Sequence, residues 1–265
     1  MVNAGVMMES FFRNKSYGRL KASEKLADAH YNVVKEKLKD HESRVHQFDE
    51  MDCVVRWIRK AIYQIDDAGL NEHLFDLGLL PLAVNLDPKK VPDDFDVSSF
   101  LVAQPKVLGV SVNKKGRVPN PGISSHDLEH HIGSYLTSKK VHVFCEAKYE
   151  RLKERMLQCD VLQKKNKIKH EFGSVYLKEH HHKVFDTLKV LNELGPAFLM
   201  EYGSPNLGAI NECIMKGRIH PNEVAQFKRV IDYRLDMVIL TQESNQKMFD
   251  HMQRRTRIIS ANLGA

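Results

Sequence analysis

One tryptophan, four cysteines, nine prolines and fourteen glycines in 265 residues leave several protein classes without material. Cys53, Cys145, Cys159 and Cys213 lie far apart, with no C-x-x-C pair and no disulfide framework, and read as reduced, mostly structural thiols, the alternative being a catalytic thiol at Cys145 beside His142. Scarce glycine and proline exclude collagen-like and low-complexity chains, and no internal repeat is present. The longest nearly apolar stretch, Leu74 to Leu86, is broken by Asp76 and Pro81 and is too short to cross a bilayer. Met1 to Ser10 has no long apolar core behind a basic start, so no secretory signal and no membrane partner are expected, and the expected location is intracellular, in the cytoplasm. Walker, Rossmann, serine-elbow and kinase signatures are all missing, which leaves the common nucleotide-dependent enzymes without support.

What is there is an ordinary globular composition, 42% hydrophobic and 28% charged, long enough to bury the core of one large domain or two small lobes. From Tyr17 to Asp67 the apolar spacing predicts two amphipathic helices, one carrying Leu20, Leu26, Val33, Val34 and Leu38, the other Val55, Ile58, Ile62 and Ile65 and closing at Gly69. Between Asp87 and Gly122 most of the prolines gather and the helical period disappears. Val107 to Val112, followed by Asn113-Lys114-Lys115-Gly116, predicts a short strand entering a turn. Helical patterning resumes after Ser124, with a last long helix starting at Pro221 and burying Val224, Phe227, Ile231, Leu235 and Val238. The expected fold is therefore mainly α: an N-terminal helical lobe (1–86), an irregular connector with a short hairpin or other small β element (87–122), and a C-terminal helical lobe (123–265).

Charge is unevenly spread. Lys139 to Lys169 holds ten Lys and Arg against Glu146, Glu150, Glu154 and Asp160, an excess equal to the formal +6 of the whole chain. Concentrated positive charge attracts polyanions, because each phosphate it neutralises releases condensed counterions. The candidate polyanion-binding residues are Lys139, Lys140, Arg151, Arg155, Lys164, Lys165, Lys167 and Lys169. Tyr135, Phe144, Tyr149, Phe172 and Tyr176 are aromatic neighbours suited either to stacking on unpaired bases or to the core. The plainer alternative for the segment is a solvated helix face of mixed sign.

Just before this segment stands Ser124-Ser125-His126-Asp127-Leu128-Glu129-His130-His131. On a helix starting near Ser125, Leu128, Ile132, Tyr135 and Leu136 face inward, His126 and His130 face away, and His131 falls at the border. Histidines four apart can share a metal ion. The order His126-x-x-Glu129-His130 resembles the inverted zinc-protease motif, which implies a third ligand from Glu201, Glu212 or Cys213. The His126-Asp127 dyad resembles the central element of the HD-domain phosphohydrolases, a helical family whose metals act on phosphate esters. That resemblance implies an upstream histidine, for which His73 is a candidate, and a downstream aspartate, for which Asp186 or Asp232 is. A second cluster, His180-His181-His182, puts His182 one turn from Asp186 if the segment is helical.

The candidate catalytic residues are thus His126, Asp127 and Glu129, and the candidate metal ligands His126, His130, His182 and Asp186, with zinc, manganese or iron as the divalent metal. The leading reading is a basic helical protein that binds RNA or DNA and assembles into homo-oligomers on it, resembling viral nucleoproteins in that respect. The alternatives are a metal-dependent phosphohydrolase, which would make the chain an enzyme, and a helical interaction or effector module without catalysis.

Overall fold

A computed structural model describes residues 3–124, 127–179 and 183–263, with side chains through residue 261. In chain order the elements begin with α1 (Ala4–Arg13), α2 (Ser16–Leu38), β1 (Val45–Phe48), β2 (Cys53–Ile65), α3 (Asp67–Asp76), α4 (Leu80–Ala83) and β3 (Val84–Leu86). They continue with β4 (Val107–Val112), α5 (Leu128–Leu157), α6 (Asp160–Lys165), β5 (Lys167–His170), β6 (Gly173–Lys178), α7 (Thr187–Leu194) and α8 (Pro196–Tyr202). The last are β7 (Gly203–Pro205), α9 (Leu207–Met215), α10 (Pro221–Ala225), β8 (Lys228–Thr241) and α11 (Gln242–Leu263).

Helix accounts for 56% and strand for 22%, the strands forming three small antiparallel sheets, so the fold is mixed α and β rather than mainly α with one small insertion. Most strand residues lie outside 87–122. The helix expected over Val55 to Ile65 is strand β2, and the long helix expected from Pro221 is the short α10 followed by strand β8. Both segments are rich in Val, Ile and Tyr, with Trp57 in β2, and these branched or flat side chains pack well on a pleated surface. Strand β4 and the turn after it stand where the sequence places them.

The chain forms two compact units, 1–56 with 105–180, and 57–104 with 181–265. Boundaries read from composition at 86/87 and 122/123 fall inside these units, because each unit is assembled from distant segments.

In the first unit α2 lies along α5. The buried residues of α2, Leu20, Ser23, Ala27, His30, Val34 and Leu38, recur every three or four positions, as a helix facing one partner requires. A second layer is the sheet β4-β6-β5, with β6 in the middle. One face, carrying Leu108, Val110, Val112, Val175, Leu177 and Ile168, packs with Ala4 and Met8 of α1 and with Met156 and Leu162. Gly173, at φ +149°, approaches Ser111 so closely that a Cβ would sit 2.0 Å from its carbonyl oxygen, so this turn requires glycine.

In the second unit Leu70, Leu74, Leu80, Leu199, Ile210, Ile219 and Val224 form the centre of the core. Buried Asn71 donates from Nδ2 to the carbonyls of Met200 and Gly203, both at 3.1 Å, tying α3 to the end of α8 and the start of β7. Strand β7 pairs antiparallel with β3.

Candidate nucleic-acid interface

Sheet register decides which way the basic segment points. β5 pairs with β6 so that Lys167 lies opposite Tyr176 and Lys169 opposite Ser174; β4 pairs on the other side, with Val107 opposite Lys178, Gly109 opposite Tyr176 and Ser111 opposite Ser174. Cross-strand partners share a face. With the alternate residues taken up by the core, the outer face carries Lys167, Lys169, Lys178 and Tyr176, two serines, Gly109 and Val107, and no carboxylate. The Ser111 and Ser174 hydroxyls bond each other at 2.7 Å.

The Tyr176 ring lies across the strand at Gly109, where a Cβ would come within 2.5 Å of the ring carbons. Glycine there keeps the face flat beside the ring. Asn166, the left-handed cap of α6 at φ 56°, turns the chain into β5. Its side-chain oxygen accepts from Lys106 Nζ at 3.0 Å, adding a further cation at the edge. Lys164, Lys165, Lys167 and Lys169 are exposed, and among the described residues none of the four makes an ion pair or a side-chain hydrogen bond.

The other predicted cations, Lys139, Lys140, Arg151 and Arg155, are exposed on α5. Spacings of 11 and 4 put Lys140, Arg151 and Arg155 on one stripe, with Phe144 between them. The Lys148 ammonium lies 4.2 Å above the Phe144 ring, which is itself exposed. Within the same segment Lys153 pairs with Glu150.

Charge is segregated between the units. The first contains 25 Lys and Arg against 17 Asp and Glu, a formal +8; the second contains 15 against 17, a formal −2. Lys167 and Lys169 stand out in the sequence, but Lys178 does not, because it joins their face only through strand pairing, nor does Lys106, which the Asn166 side chain holds at the edge.

The histidine stretch has a different geometry. His126 lies outside the described residues, as do His180, His181 and His182. Asp127 is the N-cap of α5, its Oδ1 accepting from the His130 backbone N–H at 2.7 Å. Glu129 and His130 are exposed, and His130 Nε2 stands 3.5 Å from the Ser134 hydroxyl. His131, expected at the border, is 1% exposed and meets His30 of α2, itself 9% exposed, with the two Nδ1 atoms 2.9 Å apart. One ring donates and the other accepts. Asp186, in the second unit, caps α7 by accepting from Lys189 N–H at 3.0 Å. Among the described residues no three His, Cys, Asp or Glu side chains are arranged to hold a metal ion. No described helix is long and apolar enough to cross a membrane.

Comparison with protein-family models, curated proteins and solved structures gives no match for this chain.

Proposed function

We propose that the first unit binds single-stranded nucleic acid across the outer face of its three-stranded sheet. The observation that carries this reading is the face itself: Lys167, Lys169 and Lys178 surround a half-buried Tyr176, with no carboxylate among them. Lysines at this spacing neutralise successive phosphates of a backbone, while a tyrosine lying flat beside a glycine offers a ring on which any base can stack. The formal +8 of the unit draws a polyanion toward it before contact.

Fluorescence anisotropy with labelled single-stranded RNA, measured over a salt series, tests the proposal. Affinity falls steeply as salt rises. Replacing Lys164, Lys165, Lys167 and Lys169 together by alanine lowers the slope of log K against log salt by about 3, since each phosphate left without its lysine takes roughly 0.7 from the slope. Tyr176→Ala weakens binding by about 1–3 kcal/mol and leaves that slope unchanged, because stacking releases no counterion. Binding that ignores salt, or that survives the quadruple replacement intact, rejects the proposal.

A further inference from the structure

Strand β8 lies at the edge of the sheet β1-β2-β8, with β2 as its one strand neighbour among the described residues. At 14 residues it is long for an edge. Edge strands in stable monomers are kept short, charged or covered, since their unpaired N–H and C=O groups invite another strand. This one presents Ile231, Tyr233 and Leu235, which are 57%, 48% and 41% exposed, at alternate positions and hence on one face. The guanidinium of Arg59 covers one side of the Tyr233 ring, 3.5 Å from its centroid. On the opposite face stand Asp232, Arg234 and Asp236. Arg234 and Lys60 both pair with Asp236, whereas Asp232, whose Oδ1 accepts from the Tyr233 backbone N–H at 2.7 Å, has no cationic partner among the described residues.

We infer that β8 is a dimerisation strand that pairs antiparallel with β8 of a second copy of this chain, in a register centred on Tyr233. The strand is self-complementary in that register. Asp232 falls opposite Arg234 of the second copy and Arg234 opposite its Asp232, so in each copy the Asp232 carboxylate gains a cation. On the other face Ile231 falls opposite Leu235, Tyr233 opposite Tyr233 and Leu235 opposite Ile231, a continuous apolar stripe drawn from both copies. Shifting the register by one residue sets Asp232 opposite Tyr233 or Leu235 and breaks both the ion pairs and the stripe. The contact is isologous, so it closes at two copies and does not propagate.

Sedimentation velocity on the full chain, free of nucleic acid, reads this directly: the wild type moves from 30.5 kDa toward twice that mass as concentration rises, and stops there. Asp232→Arg sets arginine against arginine and Arg234→Asp sets aspartate against aspartate, so each variant alone stays monomeric. An equimolar mixture of the two restores opposite charges at both positions and restores the dimer. Since both residues are exposed, each variant keeps the wild-type circular dichroism. A wild type that stays monomeric at its highest soluble concentration, single variants that still dimerise, a mixture that does not, or assemblies larger than two would each overturn the inference.

Discussion

A ring nitrogen buried without a partner disfavours the charged imidazole, and two half-buried histidines of the first unit are placed in this way. His46 in β1 and His170 in β5 each have a buried Nε2 with no partner among the described residues. Burial holds both below the ordinary histidine value of 6.5; His41 reinforces the effect at His46, and Glu9 opposes it at His170. A lowered folded-state pKa means that below about 6.5 the unfolded chain binds more protons than the folded one, so stability declines on acidification and is regained as pH rises through 6.5. Urea unfolding at pH 5.0 and 7.0 is expected to give a lower midpoint at pH 5.0 at unchanged denaturant dependence, and His170→Gln is expected to narrow the difference.

Between helices, the His30–His131 contact joins α2 to α5 at positions 101 residues apart. The pair bonds only when one Nδ1 carries hydrogen and the other does not, which makes it a directional link within the seam between the two helices. Replacing either histidine by leucine leaves the other ring without this partner, at a cost of about 1–3 kcal/mol. The double replacement is expected to cost less than the two singles together, with a coupling of about 0.5–3 kcal/mol, as chemical denaturation of the four proteins would measure. Little of this was legible in the sequence. His131 was visible as a border residue of the helix, but its partner stands in another element, and no spacing rule links residues 30 and 131. The helix α2 was readable from its three- and four-residue spacing. Strands β2 and β8 were not, because Ile58, Ile62 and Ile65, or Ile231 and Leu235, are separated by distances that suit one face of a helix. Residues four apart, such as Ile58 and Ile62 or Ile231 and Leu235, also share a face of a strand, so for these pairs the period was ambiguous and the β-branched and aromatic content carried the decisive signal. Similarly, Lys167 and Lys169 were legible as charge, whereas their common face with Tyr176 and Lys178 depends on hydrogen bonding across β5, β6 and β4.

For the molecule as a whole, composition pointed to a folded body of about the right size but could not show that each unit draws on two separated stretches. The secondary structure content is directly measurable. Far-ultraviolet circular dichroism is expected to report a little over half helix and about a fifth strand; a spectrum with no strand component would contradict β2 and β8 together. The way the first unit is assembled also governs its birth on the ribosome. Helix α2 is complete at Leu38, but the helix that covers it ends at Leu157, roughly 120 residues later. At about 5–20 residues per second, that seam waits on the order of 6–24 s for its cover. Throughout that interval the face of α2 that α5 later covers stands open, and a faster supply of α5 would shorten its exposure.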